Sequence, residues 1–181
     1  VLDLRGNAGG LLDVAEQGAG GMLRKGSRIG NLYGRTPADS RALVARDSLL
    51  PHDVPVVVIV DRRTGAGAEI VAAALQDHGR ALVIGEKTAG AGTIQIVLPL
   101  PANEGALVVT SARVHRANGA RLEGAGVTPQ LLIDAATGKM SLRADVAADF
   151  NADMAERLRA ALASAPANSD PALLAALTAL K

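Results

Sequence analysis

The segment that most restricts the fold is VPVVVIVD, residues 54–61, followed at once by RRTGAGAE and IVAAALQDHG. An unbroken β-branched run leaves no polar side for water, so it predicts a strand covered on both faces, as in a parallel sheet flanked by helices. The glycine-rich turn, and the apolar helix that Gly79 ends, complete a strand-loop-helix unit. VLDL, RGNAGG and LLDVAEQGAGGML repeat that order, with Leu11, Leu12, Ala15 and Ala19 at helical spacing. RALVIGE predicts a third strand, TAGAGTIQ a loop and IVLPL another strand. ALVVTSARVHRANG predicts a strand reaching a hairpin turn at Asn118-Gly119, and LLID after Pro129 an edge strand. Residues 26–50, punctuated by Gly26, Gly30, Gly34 and Pro37, predict short strands and an irregular connection.

Beyond residue 140 the pattern turns helical: DMAERLRAALASA, then DPALLAALTAL with Asp170 as N-cap and Pro171 in the first turn. The expected organisation is an α/β core over 1–139 and a helical segment over 140–181 packed on it. The opening Val1-Leu2-Asp3-Leu4 reads as the middle of a buried strand. It predicts a fragment lacking upstream residues, including any targeting segment.

Composition narrows the function. At 181 residues and 49% apolar the chain can bury a substantial core, but with one Phe (Phe150), one Tyr (Tyr33) and no Trp that core is aliphatic. Stacking platforms for bases or sugars are disfavoured. A net charge of +1 with scattered Lys and Arg argues against nucleic acid and anionic lipid as partners. VPVVVIV is too short to cross a bilayer. The absence of cysteine excludes disulfides, thiolate zinc sites and cysteine nucleophiles, and gives no redox address.

Both glycine loops leave a strand of the expected sheet, where α/β proteins place ligands and chemistry. GEKTAGAG begins like a phosphate loop, but Ala91 and Gly92 stand where Lys and a hydroxyl residue are required. His52, His78 and His115 accompany no Gly-x-Ser-x-Gly elbow and read as surface or cap residues. No pair of His, Asp or Glu has a recognised ligand spacing, so no metal and no cofactor is expected.

VLDLRGNAGGLLDVA, VDRRTGAGAEIVAAALQDHGRALVIGEKTAGAGTIQIVLPL, GARLEGAGVTPQLLI and DPALLAALTAL, in that order, resemble the core of the C-terminal processing peptidases, or tail-specific proteases. The resemblance implies a ClpP/crotonase-type α/β fold, a serine nucleophile, a lysine general base and a glutamine about one helical turn beyond the lysine. Carried over, the serine position is Ala66, the lysine position Ala91 and the glutamine Gln95. A serine hydroxyl needs a proton acceptor, and a lysine serves only when burial lowers its pKa; a snug loop of small residues would supply that desolvation. Alanine offers neither group, so no acyl-enzyme is expected. Thr64 and Lys87 are the nearest substitutes, each expected on the wrong side of its loop.

The oxyanion hole is made of backbone and survives such losses. The resemblance puts its donors at Gly67 and at Gly9 or Gly10; the plainer alternative for RGNAGG is a tight turn needing positive φ. Deliberate inactivation of a protease and a natural pseudoprotease would both produce the double alanine. The family implies an envelope or periplasmic location, protein or peptide substrates engaged near their C-termini, possible oligomers, and a PDZ domain that these residues do not contain. Two other classes remain open: a non-catalytic peptide-binding or assembly module using strand addition at a sheet edge, and a crotonase-like acyl-thioester enzyme.

Overall fold

The computed structural model describes residues 1–101, 104–134, 137, 139–143, 160 and 169–180. Val57–Val60 forms β4, with all four residues buried. Fully burying such side chains contributes about 1.5–3 kcal/mol each, which fixes β4 at the centre of the molecule. It pairs in parallel with β1 (Leu2–Asp3) and β5 (Leu82–Gly85), and β5 pairs in parallel with β8 (Leu131–Ile133). β9 (Met140–Leu142) adds antiparallel to β8, giving the order β1-β4-β5-β8-β9.

Alternation along β4 divides the core. Val58 and Val60 face the larger cluster, which includes Ala15 and Ala19 of α1 (Leu12–Met22) and Ala72 and Leu75 of α2 (Ala66–Asp77). Val57 and Ile59 face the other way, where Ala172, Ala175 and Ala176 of α3 (Pro171–Ala179) cover them. Alanine-rich faces let these helices lie close to the sheet, which is how a core almost without aromatic residues fills its volume. Asp170 caps α3 through the amides of Ala172 and Leu173, as expected. The expected helix over DMAERLRAALASA lies, but for Ala160, outside the described residues.

A second, antiparallel sheet has the order β3-β2-β7-β6, formed by β2 (Arg28–Gly34), β3 (Arg41–Val44), β6 (Thr93–Pro99) and β7 (Ala106–Arg116). Arg116 fastens it to the end of α2 through Asp77 at 2.5 Å and the Gln76 side chain at 2.7 Å.

Five expectations need correction. The helical pattern expected beyond residue 140 opens instead on the strand β9, whose pairing with β8 carries the sheet past residue 139. Leu11 precedes the first helix and is exposed, because the chain is still extended there. β1 is a two-residue edge strand among the described residues rather than a buried one, with only Leu4 of VLDL in the core. β8 is interior, because β9 pairs with its outer side. Thr93-Ile94-Gln95 belongs to β6 and not to the loop before it.

Candidate active site

The carboxyl ends of β1, β4 and β5 release three loops on one edge of the parallel sheet, and two buried acids organise them. Asp61, directly after β4, accepts hydrogen bonds from the amides of Gly6 (3.0 Å), Arg63 (3.0 Å) and Thr64 (2.9 Å). Burial alone would raise its pKa; the bonds from Gly6, Thr64 and Arg63 outweigh burial and hold the carboxyl below its ordinary value. Thr64 is fully buried, and its hydroxyl donates to the Leu4 carbonyl at 2.8 Å. That hydroxyl joins β1 to β4 and is not presented as a nucleophile.

Gly65 is the N-cap of α2, and Ala66, the first helical residue, has φ +44°. It is the one non-glycine with positive φ among the described residues. The RGNAGG loop lies against it. Gly65 donates to the Asn7 carbonyl at 2.9 Å, and a Cβ on Gly9 would meet the Ala66 Cβ at 2.6 Å and the Gly67 nitrogen at 2.7 Å. Glycine is therefore obligatory at position 9. The Gly9 amide donates to the Asn7 side chain at 2.9 Å, and Gly10 rather than Gly9 lines the pocket beside Gly67. This geometry favours Gly10 over Gly9 as a donor to a ligand.

Glu69, one turn into α2 and fully buried, reaches both loops. Its Oε2 accepts from the amides of Ala66 (3.1 Å) and Ala91 (2.7 Å). Its Oε1 accepts from the Gly90 amide (2.7 Å) and the Thr88 hydroxyl. Thr88 in turn accepts from the Val127 amide at 2.7 Å, and the Ala89 amide donates to the Thr64 carbonyl at 3.0 Å. At Gly92 a Cβ would fall 2.1 Å from the Glu123 nitrogen, so the GARLEGAGVTP segment packs directly on this loop. The loop is fixed by the Glu69 carboxylate, the Thr88 hydroxyl and backbone groups, without help from any polar side chain at position 91.

One cavity of ≈ 460 Å³ gathers Gly10, Ala66, Gly67, Ala91 and Gln95, with Leu12, Ile70, Ile94 and Val114 as its apolar wall. All the expected site residues except Gly9 thus line one pocket. Gln95 reaches it from strand β6 rather than from a helical turn. Ala91 and Gln95 are exposed, so the desolvation expected for a lysine base at position 91 is not supplied by the described residues. Lys87 is exposed at the strand end. His78 Nε2 is 2.7 Å from the Arg28 carbonyl, His115 Nδ1 lies 3.1 Å from the Gly119 carbonyl, and His52 is exposed beside Ser48. A separate cleft of ≈ 530 Å³ near Arg5, Arg62 and Arg63 offers little unbalanced charge, since Asp170, Glu86 and Asp61 pair with them. Asp61 and Thr88 escaped the sequence reading, although the D-x-x-T spacing of 61–64 is a turn signal that marks the first.

A parallel sheet whose carboxyl edge gathers two glycine loops and a helix start around one pocket defines an α/β protein with a candidate site at its strand ends, where such folds place their ligands. The chain belongs to peptidase family S41, whose profile matches residues 1–133. It is 39% identical over 134 residues to the carboxy-terminal-processing protease of Bartonella bacilliformis, covering 74% of this chain and 30% of that one. It is 36% identical over 129 residues to the chloroplastic carboxyl-terminal-processing peptidase 1 of Arabidopsis thaliana, covering 71% and 26%. The solved photosystem II D1 C-terminal processing protease superposes with a TM-score of 0.66 at 31% identity, over 74% of this chain and 34% of that one. The chain therefore spans less than a third of the length of these two curated relatives.

Proposed function

We propose that this chain is a core segment of a C-terminal processing peptidase in which alanine occupies both reacting positions, so that it holds polypeptide near its carboxyl terminus without cutting it. The observation that carries this reading is the positive φ of Ala66. A left-handed backbone costs an L-residue about 1–2 kcal/mol, and a methyl group at the pocket wall gains nothing from it. A serine there would present its hydroxyl to the pocket. In the proposed site Ala66 stands at the nucleophile position, Ala91 at the base position and Gln95 beside it, with the Gly67 and Gly10 amides as the oxyanion donors. Such donors polarise a peptide carbonyl, but no group remains to attack it. The engagement of Thr64 with Leu4 and the exposure of Lys87 support the absence of a substitute pair. The proposed core is residues 1–139 extended by the strand β9, with α3 as its helical cover. An envelope location belongs to the same proposal; the named relatives include one chloroplast protein, so family membership alone fixes no compartment.

The test is fluorogenic casein digestion with fluorophosphonate labelling, comparing the chain as written with Ala66→Ser, Ala91→Lys and the double variant. The unaltered chain and both single variants are expected to be silent, because such residues act as a unit. Labelling of the double variant should rise as the pH approaches roughly 10, where an exposed lysine loses its proton. Turnover by the unaltered chain would overturn the site assignment. Failure of the unaltered chain to bind an extended peptide in fluorescence anisotropy would remove the binding function.

A further inference from the structure

The RGNAGG loop carries its candidate donor, the Gly10 amide, on a stretch with little to hold it. Two glycines in succession give Ala8-Gly9-Gly10 wide backbone freedom. Among the described residues, one hydrogen bond orders that stretch, from the Gly9 amide to the Asn7 side-chain oxygen at 2.9 Å. Asn7 itself is well anchored. Its amide donates to the Leu4 carbonyl at 3.2 Å, and its carbonyl accepts from Gly65, the N-cap of α2, at 2.9 Å. The main chain of Asn7 is thus tied to the end of β1 and to the residue before Ala66, while its side chain reaches two positions forward. The Gly10 nitrogen lies 3.4 Å from where a Cβ on Gly67 would stand, so the Gly10 and Gly67 backbones adjoin. Neither of those two amides donates to any group among the described residues, whereas the Gly9 amide is occupied.

We propose that Asn7 is a positioning residue for carbonyl binding in this pocket, a role that rests on the peptide-holding function proposed above. The close approach of Gly9 to Ala66, Gly67 and Gly65 fixes where the loop lies. The Asn7 bond fixes how its first peptide plane, Ala8-Gly9, is turned. The next plane, which carries the Gly10 N–H, follows from it through Gly9 alone. With the Gly9 N–H taken up by Asn7, Gly10 is left as the donor of this loop to the pocket, beside Gly67. Without that acceptor the paired glycines sample orientations in which the Gly10 N–H misses a carbonyl held by Gly67. Binding then carries an ordering entropy that Asn7 otherwise meets in advance. Asn7 touches no ligand in this role; it acts through Gly9 on Gly10.

The experiment pairs fluorescence anisotropy of a dye-labelled casein peptide with amide exchange read by nuclear magnetic resonance, on the 181-residue chain, Asn7→Ala and Asn7→Asp. Asn7→Ala should raise the dissociation constant about fivefold, the scale of one lost hydrogen bond. Its Gly9 amide should exchange about fivefold faster, with the β4 amides unchanged. Asn7→Asp keeps the acceptor, and its added charge at an exposed position is screened, so affinity and Gly9 exchange should stay within about twofold of the unaltered chain. A residue needed only for bulk at this position would not be rescued in that way. No binding by the unaltered chain overturns the peptide-holding function and this role together. Binding that Asn7→Ala leaves unchanged, an unchanged Gly9 exchange rate, or an equal loss in Asn7→Asp overturns the role of Asn7 alone. Faster exchange that spreads to the β4 amides would show that Asn7 supports the whole fold, and overturns it as well.

Discussion

The loop over 86–92 and the β6–β7 arm that continues from it treat their surroundings in opposite ways. The loop carries almost no side-chain bulk, yet Glu69 binds two of its amides and Thr88, and Thr64 and Val127 bind it from either side. The arm carries large aliphatic side chains, yet it is held to the molecule by its strand pairing. The difference teaches that the shape of this site is a property of backbone and buried acid, not of the reacting side chains. It also teaches that apolar content alone does not mark a core.

The contrast is broken most severely at Glu69. Glu69→Ala leaves three amides and a hydroxyl without their acceptor, and is expected to cost about 3–5 kcal/mol in urea unfolding. Thr88→Val removes one donor to Glu69 and the acceptor of the Val127 amide, for an expected loss of about 1–3 kcal/mol. In hydrogen exchange the Ala91 and Val127 amides should then open ahead of the β4 amides. A loss of protection spread evenly over the chain would show that the loop is not held as described.

Acid tests the neighbouring loop. Arg5 lowers the pKa of Asp3, and burial of Asp61 and Asp170 is outweighed by their hydrogen bonds, so all three titrate below the ordinary 3.8. Their contribution is complete above that value and is lost as the pH falls through the lower folded-state values, because the unfolded chain binds the protons more tightly. Melting temperatures between pH 7 and 2 should drop at the acid end, and Asp61→Asn should flatten that drop.

Ala66→Gly relieves the positive φ at the expense of a more flexible unfolded chain, with a net gain of about 0.5–1 kcal/mol expected in calorimetry. A loss would show that the Ala66 methyl is needed by its neighbours. On the arm, Val97→Lys should change the stability of the fold by no more than about 0.5 kcal/mol. A larger loss would mean that the arm is packed after all.

Much of this was legible in the sequence because VVIV and the alanine-rich helix after it have one way to be buried. The same run places Ala66 at a strand exit, and the small residues around Ala91 mark the second loop. Thr93-Ile94-Gln95 reads as loop because it follows directly on a glycine loop and holds a single apolar residue, Ile94, too few for a strand alternation to register. β8 was read as an edge because its partner β9 is only three residues, too short for periodicity to register. Glu69 was visible as a residue, but its four partners are backbone and hydroxyl groups brought together by folding.

Arg5, in the first glycine loop, pairs with Asp170 at the cap of α3, 165 positions away. During synthesis at 5–20 residues per second, roughly 10–30 s separate the two. The glycine loop at residues 5–10 is therefore made well before the cap that fastens it, and its Arg5–Asp170 contact closes only once α3 has been synthesised.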